Sequence, residues 1–332
     1  MKLNKLGKTG ISISEIGLGT WEMSGDRWGK KDDSESMLAI NTALDNGVNF
    51  IDTAAGYGSG HVEELVGKVL KNRKDDEIVV STKVRPKCGI FAPSPEKEID
   101  NFFPPNWIVS SCEQSLKRLQ LKKIDVLFLH TWSRSWGHRT EWYNTLQKLK
   151  DEGKIGAFGI SIPDEGIADA NVHVEAGRVD VIQCVYNMFQ QEPEHTLFPL
   201  AKKQRVGIIA RSPFSSGALI GNWTKSMTFP EKDWRGVWPK NIKKNWLEEQ
   251  VDMANAVNEI FKDEGLSMTA ASLRYIISND AVTSVIPGSA NPKHVKANIA
   301  AAEAPAISEN CIKMIRKLWA EGKIHGTYNG SI

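Results

Sequence analysis

Four residues able to move or steer a proton, Asp52, Tyr57, Lys83 and His130, each end or closely follow a short apolar run: VNFID, DTAAGYGSG, EIVVSTK and IDVLFLH. Tyr57 lies between Gly56 and Gly58, on a turn too bare to pack an aromatic ring, so the turn presents a hydroxyl. An aspartate and a lysine buried together pair, since either charge alone is costly to take out of water. The ammonium then favours the phenolate of a neighbouring tyrosine and lowers its pKa from the reference of about 10, which makes Tyr57 a candidate general acid. A neutral histidine beside it donates an N–H to an oxygen gaining negative charge. Reduction of a carbonyl uses both groups, with hydride from a cofactor because no side chain supplies one. Taken singly, each residue has a plainer role: a turn cap for Asp52, surface charge for Lys83, a satisfied core position for His130. They become chemistry only in a fold that gathers the ends of their strands.

The chain supplies such a fold. Eight β-branched apolar runs recur, near Ile16 and ending at or around Asp52, Lys83, His130, Ser161, Gln183, Ile209 and Val285. Segments of helical periodicity separate most of them, such as SMLAINTALDNG, closing on Gly47, and NWIVSSCEQSLKRLQ. Eight similar units, each strand apolar enough to be covered on both faces, predict a (β/α)₈ TIM barrel forming a single domain over residues 1–332. KLNKLGKTGISI reads as an N-terminal β-hairpin that plugs the barrel bottom, and SENCIKMIRKLWAEG as a final helix on the outside. Long loops after the third, fourth and seventh strands fall on the C-terminal face, where barrels of this kind build their sites. These loops carry Trp132, Trp136, Trp223, Trp234 and Trp238 of the 11 tryptophans.

The totals exclude several classes. With 42 basic and 40 acidic residues, a net charge of +2 and no basic block, the chain offers no footprint for nucleic acid. Cys88, Cys112, Cys184 and Cys311 are too scattered for a disulfide framework or a CxxC metal site, which fits a reducing cytoplasmic setting. MKLNKLGKTG has no apolar leader core, and no window reaches the length of a membrane span, so no membrane association is expected. His61, Glu63 and Glu64 form a conceivable metal cluster, but they read better as the first turn of a helix whose dipole the acids complement, and no metal is expected.

Six segments in order, DTAAGYGSGHVEELVG, STK, LKRLQLKKIDVLFLH, GKIGAFGIS, VIQCVYN and IPGSANPKHVKANIAAA, resemble the aldo-keto reductase superfamily over nearly the whole chain. The resemblance implies a barrel that binds an extended nicotinamide dinucleotide without a G-x-G-x-x-G strand turn, and the first strand here has none. Tyr57 then matches the general acid, Asp52 and Lys83 the residues that tune it, and His130 the one that orients the carbonyl. For the cofactor, the resemblance assigns Gly19, Thr20, Trp21 and Asp52, the carboxamide pair Ser161 and Gln183, the loop Arg211, Ser212, Pro213, Phe214, Ser216 and Gly217, and an adenosine end at Gly288, Ser289, His294 and Asn298. Departures are visible too. Ile162 stands where many members have asparagine, Arg211 where an aromatic often stacks on the nicotinamide, Gly288 in place of a lysine and His294 in place of an arginine. The last two remove fixed cations from a phosphate site. The family favours NADPH, with Lys293 and Lys296 as substitute cations, and NADH stays open.

Trp21, Tyr57, Arg85, Phe91, His130 and Trp132 are the expected walls of the substrate pocket. Tryptophan faces suit apolar or sugar-ring surfaces and arginines suit carboxylates or phosphates, so a sugar-derived or an aromatic carbonyl fits. Related barrels also serve as cofactor-sensing subunits of membrane channels, which is the alternative to an enzyme. An oligomer stays open.

Overall fold

A computed structural model describes residues 1–332 apart from 26–27, 30–31, 75, 165, 237–244 and 327–332. The chain opens with an antiparallel hairpin of β1 (Leu3–Lys5) and β2 (Ser12–Ser14), paired Leu3 to Ser14 and Lys5 to Ser12. Eight strands follow: β3 (Leu18–Gly19), β4 (Phe50–Asp52), β5 (Val79–Val84), β6 (Ile124–Leu129), β7 (Ile155–Ser161), β8 (Val181–Val185), β9 (Gly207–Arg211) and β10 (Ser284–Val285). Each is parallel to its neighbour in chain order. The two edges meet, because Gly17 N donates to Val285 O at 2.8 Å, Val285 N donates to Glu15 O at 3.0 Å, and Gly19 bridges Gly288. The sheet therefore closes into the expected (β/α)₈ barrel.

The helices among the described residues are α1 (Asp33–Asp45), α2 (His61–Leu70), α3 (Pro105–Leu119), α4 (Glu141–Asp151), α5 (Asn171–Glu175), α6 (Leu197–Gln204), α7 (Trp246–Phe261), α8 (Met268–Ser278), α9 (Pro292–Ala302) and α10 (Glu309–Ala320). Local chemistry sets their ends. Asp32 caps α1 by accepting from Glu35 N, and the chain leaves that helix through Gly47 at φ 84°. Helix α3 begins on Pro105, whose missing N–H costs nothing there, and stops at Gln120, held left-handed at φ 55° where a glycine is more usual. The final helix α10 packs outside the barrel against α7.

Strand alternation sorts the side chains into two layers. Ile51, Leu127, Leu129, Phe158, Ile160, Ile182 and Ile208 pack outward beneath the helices. Phe50, Val126, Phe128, Ala157, Val181, Ile209 and Ile286 fill the lumen, and Leu6 and Ile13 of the hairpin join them from below. Backbone crowding is tight inside: a Cβ on Gly159 would lie 1.8 Å from Val181 O, so only glycine fits that lumen position. Moving up each strand, the inward series turns polar: Phe50 to Asp52, Val79 to Ser81 to Lys83, Val126 to Phe128 to His130, Gly159 to Ser161, Val181 to Gln183, Ile209 to Arg211. The same period that builds the core delivers these polar groups to one end.

Candidate active site

At the C-terminal mouth Lys83 Nζ is fully buried and donates to Asp52 Oδ2 at 2.6 Å, Thr53 O at 2.9 Å and Tyr57 Oη at 3.3 Å. Three partners satisfy the three donors of an ammonium. The other oxygen of Asp52 accepts from Ser81 Oγ at 2.7 Å and Gln183 Nε2 at 2.8 Å, and Gln183 Oε1 accepts from Ser161 Oγ at 3.2 Å. One network thus joins β4, β5, β7 and β8. The Tyr57 turn rests on left-handed Gly58 (φ 58°) and Ser59 (φ 53°), which swing the ring back over the mouth. Its ring meets His130 edge to face at 5.7 Å between centroids, Phe91 also meets His130 edge to face at 5.0 Å, and Trp21 lies 6.4 Å from Tyr57.

The electrostatics keep the two proton-handling groups neutral. Burial raises the Tyr57 pKa; Lys83 opposes this and Asp52 reinforces it, so the net direction is upward. This corrects the expectation of a lowered value: removing a phenolate from water outweighs the attraction of an ammonium already paired to a carboxylate. Burial pulls the Lys83 ammonium down, but Asp52 and Tyr57 more than restore it, and its pKa ends above the ordinary value. His130 is driven well below the usual imidazole range by burial and then by the cations Lys83 and Arg211. Its Nδ1 is buried without a partner, leaving the ring free to carry its proton on Nε2.

Other assigned residues sort by position. Thr20 spends its hydroxyl on Asp52 O at 2.9 Å, while Trp21 is 36% exposed at the mouth. Arg211 closes β9 and donates to Ile162 O at 2.9 Å and Asp164 Oδ1 at 2.5 Å. Arg85 is exposed just past β5, and its carbonyl accepts a hydrogen bond from Trp107 Nε1 at 2.7 Å. Trp132 departs from expectation. It is fully buried behind the mouth against Trp136, Trp142 and His173, so it anchors the loop after β6 and offers no wall to a substrate. Trp238 lies outside the described residues. His61 meets Asp33 at 2.8 Å, and Glu63, fully buried, is engaged by Thr82 Oγ1 and Arg118 Nε at 2.6 Å each.

The loop after β9 tests the fit of a phosphate-bearing cofactor. Ser212, Ser215 and Ser216 hold φ of 56°, 43° and 62°, with Gly217 at 111°, and left-handed non-glycine residues persist only where the surroundings enforce them. Within the loop Ser215 N donates to Ser212 O at 3.1 Å and Gly217 N to Phe214 O at 2.9 Å, so its own backbone bonds hold the turn. Over it lies a residue the sequence reading missed. Arg235 Nη1 donates to Ser216 O at 3.1 Å, and Asp233 fixes the guanidinium with bonds of 2.9 and 2.6 Å. The cation stacks 4.8 Å from both Trp28 and Phe229. Beyond, Gly288 is open: an added Cβ would meet only Gly19 O, at 3.9 Å. Ser289 is fully buried and bonded to Asn291, whereas His294 is exposed and Asn298 nearly buried on α9. A braced loop, a cation and open space at Gly288, beside the buried Ser161 hydroxyl and Gln183 amide, fit an extended dinucleotide.

The Aldo/keto reductase family profile matches residues 15–320. The chain belongs to the aldo/keto reductase family, and it is an oxidoreductase. Among its relatives, Aldo-keto reductase YhdN of Bacillus subtilis (strain 168) is 31% identical over 90% of this chain and 87% of that protein. The NADH-specific methylglyoxal reductase of Escherichia coli (strain K12) is 30% identical, covering 91% of this chain and 93% of its own. A glycerol dehydrogenase structure from Gluconobacter oxydans superposes with a TM-score of 0.78 at 27% identity, over 98% of this reductase and 96% of that chain. No helix among the described residues of the reductase is long and apolar enough to cross a membrane.

Proposed function

We propose that the protein reduces an aldehyde or ketone to an alcohol with a reduced nicotinamide dinucleotide, Tyr57 acting as the acid. The carrying observation is the Lys83 ammonium, bonded at once to Asp52 and to the Tyr57 hydroxyl beneath a neutral His130. Ser161 and Gln183 would hold the carboxamide, the Ser212–Gly217 loop with Arg235 the pyrophosphate, and Trp21 and Phe91 the sides of the substrate pocket. When bound, the nicotinamide supplies the hydride. The carbonyl oxygen then gains charge between Tyr57 Oη and His130 Nε2, two donors that are in place before reaction. Because its pKa is raised, Tyr57 holds its proton throughout the neutral range and surrenders it only to a stronger base, the nascent alkoxide. Lys83 stays beside the phenolate that remains, while Asp52, Ser81 and Gln183 keep Lys83 from moving. Relatives named as a methylglyoxal reductase and a glycerol dehydrogenase support a small carbonyl–alcohol couple.

The test is oxidation of reduced nicotinamide, followed by absorbance, with an activated aldehyde. The variant Tyr57→Phe is expected to lose about 10²- to 10⁴-fold in kcat, the usual worth of a positioned acid, with cofactor affinity retained. Turnover by Tyr57→Phe at the parent rate would remove Tyr57 from this role.

A further inference from the structure

In barrels of this kind, phosphate groups are taken up by the loops after the seventh and eighth strands and by an adjoining helix N-terminus. Here these are the loop after β9, the turn after β10 and the start of α9, where Asn291 is the cap. Asn291 Oδ1 accepts from Lys293 N at 2.8 Å, and its Nδ2 donates to Glu35 Oε1 at 2.8 Å. Glu35 belongs to the exposed first turn of α1, which packs along α9. A carboxylate is therefore already held at the positive end of the α9 dipole, where a phosphate would otherwise be drawn. Gly288 supplies no cation, Ser289 is committed to Asn291, and the cations of α9, Lys293 and Lys296, are exposed to solvent, which screens them.

We propose that Glu35, held by Asn291, selects the dinucleotide that lacks a 2′-phosphate. The inference rests on the cofactor reading above. A carboxylate accepts hydrogen bonds from the free hydroxyls of the adenosine ribose, whereas a 2′-phosphate brings like charge and no proton to share. NADH, rather than the NADPH that the family favours, is the fitting reductant.

Quenching of tryptophan fluorescence on adding NADH or NADPH reads this without turnover. The parent protein is expected to bind NADH at least about tenfold more tightly, and Glu35→Gln, which keeps an acceptor for Asn291, to tighten NADPH about tenfold at low salt. NADH affinity should stay within about threefold, and the NADPH gain should shrink as added salt screens the exposed carboxylate. Parent protein that prefers NADPH, or a variant that leaves both affinities unchanged while both still bind, overturns the role of Glu35 alone. Binding of neither cofactor overturns the proposed function and this inference together.

Discussion

Burial moves Tyr57 upward and His130 downward, and both shifts leave a neutral group at pH 7: a phenol with its proton and an imidazole without a second one. The partners of Tyr57 were legible from residue types, because an aspartate and a lysine at neighbouring strand ends have few other ways to be buried. The winner among opposing effects was not, since desolvation depends on aromatic neighbours such as Phe91 and Trp21 that other loops supply. His173 shows the same effect away from the mouth. Its ring is fully buried 4.8 Å from Trp132 and 5.0 Å from Trp142, both nitrogens lack a partner, and burial lowers its pKa to about 4. An unfolded histidine titrates near 6.5, so between these values the unfolded chain binds more protons. The stability contributed by the neutral ring is complete above pH 6.5 and is lost as the pH falls toward 4, about 2 kcal/mol of it by pH 5. Substituting His173→Phe fills the same aromatic cage without a titrating group. Its stability relative to the parent in urea should be about 2 kcal/mol more favourable at pH 5 than at pH 7.5. An equal difference at both pH values would show that His173 carries no such linkage.

At the scale of elements, a period of two residues did most of the work of placement. Asp52, Lys83, Ser161, Gln183 and Arg211 close or nearly close strands whose earlier inward positions are apolar, so alternation alone sends them to the mouth. Trp132 was misassigned because it follows β6, where the chain has left the ladder and alternation no longer dictates direction. Arg235 and Glu35 escaped notice for a related reason: each acquires its role from a contact far away in sequence, with Ser216 in one case and Asn291 in the other. The loop bearing Arg235 is also tied across the mouth, since Asp233 bridges Trp28, and Trp28 stacks edge to face on Trp21 at 5.3 Å. Asp233 followed two residues later by arginine was the available signal, as a carboxylate so near can fix a guanidinium for another task. Replacing Arg235→Gln removes the cation but keeps a donor for Ser216 O. Dinucleotide dissociation constants are expected to rise about tenfold, and by less at high salt, where screening weakens the contact being lost. Unaltered affinity would mean that Arg235 braces the loop and contributes nothing to phosphate binding.

For the whole molecule, the proposed chemistry and the packed plug occupy opposite ends of one barrel. The lumen is largely apolar from the hairpin upward, with the charged groups gathered at the top, so the charges of the mouth stand on a packed floor and not over a water-filled pore. The plug at the bottom was readable in KLNKLGKTGISI because a short hairpin needs something to pack on, and the only uncovered apolar surface of a barrel is its open end. Its depth was not readable. Leu6 and Ile13 are fully buried, and Gly207 makes room for Leu6, whose Cδ1 would lie 2.5 Å from any Cβ at that position. A leucine so enclosed is part of the core even though it precedes every barrel strand, and Leu6→Ala should cost about 2–5 kcal/mol. The hairpin lies at the end away from the Asp52, Tyr57, Lys83 and His130 network, so the same variant should bind the dinucleotide with parent affinity. Urea unfolding and cofactor titration on one preparation check both halves. A midpoint that does not move would make the hairpin an ornament. A midpoint that falls together with cofactor affinity would mean that the packed floor transmits its strain to the mouth, and the separation of the two ends would have to be abandoned.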